Sequence, residues 1–188
     1  LVTGPTGSGK TTTLYSLVSH VAGDGVNVIT LEDPVEYPMP AIRQTSVNEA
    51  VKLDFASGVR SMLRQDPDVI LVGEIRDAAT ADMALRAAMT GHQVFSTLHA
   101  SSASGALPRL RDLGVPGSLL AGNLIGVAAQ RLVRRLCPRC KSPHEPDGPA
   151  RRLLAVAPDA PCVIYSPAGC AHCDGVGYRG RLAIAEVL

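Results

Sequence analysis

The stretch Gly4-Pro5-Thr6-Gly7-Ser8-Gly9-Lys10-Thr11 fits G-x-x-x-x-G-K-[ST], the pattern of a phosphate-binding loop. Glycines at 4, 7 and 9 allow backbone conformations that a Cβ forbids, so successive N–H groups can converge on one anion. Lys10 would reach the β- and γ-phosphates of a nucleotide, and the Thr11 hydroxyl would hold Mg²⁺. The flanks agree with this reading. Leu1-Val2 reads as the end of a strand, and from Lys10 a helix is predicted with Leu14, Leu17, Val18, Val21 and Ala22 on one face. Its N-terminus adds partial positive charge where phosphates would lie. With glycine at about 7% of residues, the pattern arises by accident in on the order of one chain in a hundred of this length.

Working outward, Val26-Asn27-Val28-Ile29-Thr30-Leu31 reads as a buried strand after Gly23 and Gly25. It runs into Glu32-Asp33-Pro34-Val35-Glu36, a carboxylate cluster whose plainer reading is a solvated turn. Pro34, Pro38 and Pro40 then keep the chain out of regular structure. Asp54 caps a predicted helix with Phe55, Val59, Met62 and Leu63 inward, and Arg60 and Arg64 share another face. Val69-Ile70-Leu71-Val72 reads as a strand ending in Gly73-Glu74. Asp77 caps a helix with Ala81, Ala84, Leu85, Ala88 and Met89 inward, closed by Gly91. Gln93 to Leu98 is a further strand that ends at His99. Pro108 marks a helix start, and another helix is expected from about Ser118 to Arg131.

The loop, the carboxylate cluster, Glu74 and His99 each follow a predicted strand. In an open parallel α/β sheet, ligands bind at the C-terminal strand edge, so these groups are expected in one site. Phosphoryl transfer needs a bound phosphate, a metal, a water-orienting group and positive charge. Glu74 is the candidate for polarising the water; its plainer reading is a surface carboxylate paired with Arg76. Many phosphate-loop enzymes carry an Asp before that Glu, whereas Gly73 stands here, so Glu32 and Asp33 are the candidates for metal support. His99 could contact the γ-phosphate, since imidazole both donates and accepts hydrogen bonds. Arg60 and Arg64 read either as arginine fingers or as a solvated face.

Cys137-Pro138-Arg139-Cys140 and Cys170-Ala171-His172-Cys173 form two C-x₂-C pairs, the spacing that delivers four thiolates to a tetrahedral Zn²⁺. Cys162 is left over, and His172 lies inside a knuckle. Arg131, Arg134, Arg135, Arg139 and Lys141 form a basic run that could face acidic lipid or an acidic partner, or simply water. At 188 residues the chain suggests one domain with a small appendage. A net charge of +1 and 3% aromatics argue against nucleic-acid binding. The chain has no long apolar run and no recognisable signal peptide, so a cytoplasmic or membrane-peripheral protein is expected. It reads as cut at both ends, with Arg181 to Leu188 suited to an interior.

Together these residues resemble the bacterial secretion ATPases of type II secretion and type IV pilus assembly. The matching blocks are GPTGSGKTTT (4–13), ITLEDPVEY (29–37), RSMLRQDPDVILVGEIRD (60–77), TGHQVFSTLH (90–99), AQRLVRRLCPRC (129–140) and GCAHCDGVGYRGR (169–181). In that family they are the Walker A, Asp box, Walker B and His box motifs and the tetracysteine module. The resemblance implies a RecA-like P-loop core with a mostly parallel sheet flanked by helices, plus a small zinc-binding subdomain. It divides the chain into an ATPase core (1–135), a zinc subdomain (136–176) and the start of a C-terminal segment (177–188).

The same resemblance implies nucleotide binding by Gly4, Pro5, Thr6, Gly7, Ser8, Gly9, Lys10, Thr11 and Thr12. Catalytic roles fall to Glu74, Glu32, Lys10, His99, Arg60 and Arg64, with ATP, Mg²⁺ and Zn²⁺ as cofactors. The expected assembly is a homo-hexamer working with inner-membrane platform and assembly proteins, without nucleic acid, in the cytoplasm at the inner membrane. The family's His-box loop continues with Thr-Asn-Asp where this chain has Ala100-Ser101-Ser102. The alternative class is a zinc-ribbon nucleic-acid translocase, which the neutral charge and scarce aromatics oppose. A GTPase lacks its Asn-Lys-x-Asp here, and a small-molecule kinase would not explain the paired cysteines.

Overall fold

The computed structural model describes residues 1–188, with the Glu49 side chain excepted. The chain forms two compact units, Leu1–Arg131 with Ala183–Leu188, and Leu132–Leu182. The first contains β1 (Val2–Thr3), α1 (Lys10–Val21), β2 (Val28–Glu32), β3 (Arg43–Ser46), α2 (Phe55–Met62), β4 (Val69–Val72), α3 (Ala78–Met89), β5 (Gln93–Leu98), α4 (Ala106–Asp112) and α5 (Gly117–Asn123). Strand β6 (Ala128–Leu136) leaves this unit. The second contains β7 (Ser142–His144), α6 (Gly148–Leu153) and β8 (Ile164–Ser166), and β9 (Tyr178–Val187) runs back to the first.

The sheet order is β3-β2-β4-β5-β1-β6-β9, and the pairs from β3 through β6 are all parallel. Each parallel step needs a crossover, which helices supply everywhere except between β2 and β3, where the irregular segment 33–42 returns the chain. Strands β2 and β4 are buried throughout, which explains the unbroken apolar run of β4 and the apolar residues on both faces of β2. Their alternate residues serve two cores. Val28, Val69 and Leu71 pack with Leu14, Tyr15 and Val18 of α1. Ile29, Leu31, Ile70 and Val72 pack with Phe55, Val59 and Met62 of α2. Asp54 caps α2 by accepting from Ser57 N at 2.7 Å, and Asp77 caps α3 by accepting from Thr80 N at 2.7 Å.

Four expectations are corrected. The stretch expected as a helix to Arg131 is helical only over Gly117–Asn123 and then becomes β6. Leu124 takes an extended backbone, and Ala128 and Ala129 pair with β1; the pairing partner overrides the helix propensity of the alanine- and arginine-rich residues. Strand β3 arises inside the segment expected to be irregular, because Ile29 to Glu32 supply it with parallel partners. Met89 is 59% exposed and Ala87 takes its place in the core. Leu182, Ile184 and Val187 line the exposed strand β9 at the sheet edge instead of an interior.

Gly58 brings α2 close to β2. A Cβ there would lie 2.3 Å from a methyl of Leu31, which is itself 1% exposed. Gly58→Val should therefore lower the unfolding free energy by about 2–3 kcal/mol, an overpacking cost. Denaturant unfolding checks this, and an unchanged midpoint would mean that α2 can move off the sheet freely.

Candidate active site and metal centre

The phosphate-loop residues connect β1 to α1. Gly4 and Gly9 have φ of +142° and +88°, and Ser8 N donates to Pro5 O at 3.2 Å to close the turn. Lys10 Nζ donates to Gly4 O at 3.0 Å and to Pro5 O at 3.1 Å, lying back over its own loop. Burial lowers the Lys10 pKa and the charge of Glu74 opposes that shift, so the two side chains share one field. Ser8 Oγ is buried with no hydrogen-bond partner among the described residues. Such an atom, on a loop whose glycines open its backbone, fits a polyanion. Thr11 is half-buried and Thr12 exposed at the start of α1.

Glu74 follows β4, and its carboxylate lies between the His99 ring and the Arg76 guanidinium. His99 Nε2 is 3.0 Å from Oε1, and Arg76 Nε donates to Oε2 at 2.8 Å. Arg76 also donates to Asp33 Oδ2 at 3.1 Å, linking the tips of β2 and β4. The Glu74 hydrogen bond is the main cause of the raised Arg76 pKa. Glu74 thus pairs with Arg76, as its plainer reading has it, and also lies in the field of Lys10. The tip of β5 is fastened by Thr3 Oγ1, which donates to Ala100 O at 3.0 Å and accepts from Ala100 N at 2.8 Å. Thr97 Oγ1 donates to Gly73 O at 2.7 Å, tying β5 to the residue before Glu74.

Glu32 is 3% exposed, and its oxygens are engaged by protein donors. Tyr15 OH donates to Oε2, while Thr30 Oγ1 at 2.5 Å and Gln44 Nε2 at 3.2 Å donate to Oε1. Burial, with the Glu32 bond second, pushes the Tyr15 phenol up to about 12. Glu32 thus fastens α1 and β3 to β2. Arg60 is exposed on α2, and the Arg64 guanidinium donates to Ser61 Oγ at 3.3 Å in the 3₁₀ turn that follows. A cleft of about 450 Å³ runs along α1, lined by Tyr15, Ser19, Tyr37, Met39 and Ile42; neither the loop nor Glu74 borders it.

Three residues escaped the sequence reading. Tyr15 passes for an ordinary core aromatic, and Gln44 lies in a stretch without periodicity. Gln130 lies in the segment misjudged as helix, so the direction of its side chain had no basis. Its amide donates to Ser8 O and accepts from Thr13 Oγ1.

In the second unit the Sγ atoms of Cys137, Cys140, Cys170 and Cys173 lie within 4.8 Å of one another. Cys137–Cys170, Cys140–Cys173 and Cys170–Cys173 separations are 4.0, 3.7 and 3.8 Å. Four thiolates around Zn²⁺ at about 2.3 Å form a tetrahedron with edges of about 3.8 Å, so the donors fit that ion. Cys170 N and Gly177 N donate to Cys173 Sγ at 3.3 and 3.2 Å. Burial pushes this thiol up, but those amides and the neighbouring thiols outweigh it, and Cys173 falls to about 7. Burial pushes Cys140 up to about 12. Cys162 stands outside the cluster, and the His172 ring lies against Arg179 instead. Much of the basic run is already engaged: Arg131 donates to Ser101 O at 3.0 Å, Arg134 lies 3.9 Å over Tyr178, and Lys141 lies 4.2 Å over Tyr165.

Comparison with known proteins gives this geometry its setting. The putative type II secretion system protein E of Escherichia coli K12 is 53% identical over 193 residues, covering 100% of this chain and 38% of that protein. The type IV pilus assembly ATPase TfpB of Acinetobacter baylyi is 54% identical over 190 residues, covering 100% of this chain and 32% of that protein. The chain thus spans little more than a third of the relatives it matches. The crystal structure of the pilus retraction motor PilT with bound ADP superposes with a TM-score of 0.66 at 42% identity, over 73% of this chain and 43% of that one. The fold is the RecA-like one of these ATPases, and the model of the type II/IV secretion system protein family matches residues 1–188, so the chain belongs to that family.

Proposed function

We propose that this chain is the ATP-hydrolysing motor core of a machine that assembles a type IV pilus or a type II secretion pseudopilus. The observation that carries the reading is the position of Glu74: beyond a buried strand, between His99 and Arg76, and in the field of Lys10. In this reading residues Gly4 to Thr12 wrap the triphosphate, binding it through their backbone N–H groups (Pro5, which has none, only shapes the turn) and the Lys10 ammonium. Thr11 holds Mg²⁺, which when bound neutralises charge on the phosphate oxygens. Glu74 orients the attacking water once an oxygen is released by its present partners. His99, bonded to Glu74, is suited to report whether a γ-phosphate is present. Glu32 acts through Tyr15, setting the angle of α1 against β2. Arg60 and Arg64 are exposed and available to a neighbouring copy in a hexamer.

The proposed domain division follows: an ATPase core (1–135), a zinc subdomain (136–176) and a C-terminal segment (177–188). Zn²⁺ in the tetracysteine site replaces the apolar core this small unit lacks. Among the described residues no helix is long and apolar enough to cross a membrane. We place the protein in the cytoplasm at the inner membrane, against platform and assembly proteins, with the free part of the basic run turned to an acidic surface.

Glu74→Gln in the full chain should lower ATP turnover roughly 10²- to 10⁴-fold, the scale of a lost general base, while retaining ATP binding. Turnover within about twofold of the parent would remove Glu74 from this role. The protein should carry about one Zn²⁺ per chain, and Cys173→Ser should release it. Hydrogen exchange across 137–177 should then rise steeply, since such metal binding is folding free energy. A zinc-free variant with unchanged protection would show the metal to be dispensable.

A further inference from the structure

Gln130 meets the phosphate loop and the helix that follows it at three separated points. Its Nε2 donates to Ser8 O at 2.7 Å, and its Oε1 accepts from Thr13 Oγ1 at 2.7 Å. Its own carbonyl oxygen lies where a Gly4 side chain would begin, 2.3 Å from an ideal Cβ. The residue is 6% exposed on β6, which pairs with β1 directly before the loop. A loop that binds an anion through its N–H groups must turn the attached carbonyls elsewhere and hold them there. Ser8 O is such a carbonyl, and the Gln130 amide is its donor. A primary amide is suited to the position, because one planar group supplies a donor to Ser8 and an acceptor to Thr13.

We propose that Gln130 is the positioning residue that holds the phosphate loop in its anion-binding shape, and so sets nucleotide affinity without taking part in the chemistry. The inference rests on the reading of this loop as the ATP site. It makes Gln130 distinct from Lys10, which offers charge, and from Glu74, which acts on water. A carboxylate at position 130 would turn an oxygen toward Ser8 O, and the two would repel until that carboxyl takes up a proton.

The test is titration of the full-length protein with a fluorescent ATP analogue, comparing the parent with Gln130→Glu, Thr13→Val and Lys10→Ala. For Gln130→Glu at pH 8, Kd should rise about 10- to 100-fold, the scale of a buried carbonyl losing its donor. The ratio to the parent should narrow on lowering the pH to 6, where a protonated carboxyl donates again. Turnover at saturating ATP should stay within about threefold, because the interaction serves ground and transition states alike. Thr13→Val keeps the Ser8 bond and should weaken binding only a few-fold (about threefold), with the same separation of KM from kcat. It carries the test should Gln130→Glu fail to fold. Parent-like affinity in both variants, with binding lost in Lys10→Ala, would overturn this inference and leave the ATP site standing. A loss that is independent of pH and tracks the melting temperature would overturn it too, as general destabilisation. Parent-like binding in Lys10→Ala would overturn the ATP-site reading, and this inference with it.

Discussion

Parallel hydrogen bonding between short strands buried on both faces governs where polar chemistry can sit in the first unit. Val69 to Val72 and Val28 to Glu32 offer no exposed face, so a charged side chain can leave the sheet only at a strand end. Because the strands from β3 to β6 run the same way, their C-terminal ends share one edge. The phosphate loop, Asp33, Glu74 and His99 all lie just past such ends. Their meeting is a consequence of topology before it is a matter of side-chain contacts.

The contacts then select among the groups that topology assembles. Of the two glutamates at strand ends, Glu32 is fully engaged by Tyr15, Thr30 and Gln44 and works as a fastener. Glu74 keeps 18% of its side chain exposed and is held by Arg76 and His99, whose own side chains are 55% and 52% exposed. A buried carboxylate surrounded by donors is costly to move, whereas a rim carboxylate with exposed partners can exchange them for water at little cost. The second unit relies on a different economy of forces. It has few buried apolar residues, with Cys137 and Cys173 prominent among them, and thiols at the spacing of a metal tetrahedron.

Much of this was legible beforehand, and for identifiable reasons. Strands β4 and β5 were read with their observed bounds because short strand-forming segments flanked by Asp-Pro, Gly and Thr-Gly punctuation leave little freedom. Asp54 and Asp77 declared themselves as caps because an N-cap is a local device. Strands β3 and β6 were missed. Neither has a pattern of its own: Arg43–Ser46 is polar and mostly exposed, and Ala128–Leu136 mixes alanine with arginine. Both become strands because a neighbouring edge offers them hydrogen bonds, which is a non-local cause.

The sequence alone determined the chemistry available: which loop can wrap a phosphate, which carboxylates and imidazole follow strands, and which four cysteines can share a metal. These depend on residue types at short spacings, where chain geometry leaves few alternatives. Only the tertiary structure decided the use of each group. It directed Glu32 to Tyr15, bracketed Glu74 between Arg76 and His99, and brought Gln130 across a sequence separation of 122 residues to Ser8. The physical reason is that a side chain's partner is fixed by which strand lies beside it, and strand neighbours are chosen by packing over the whole sheet.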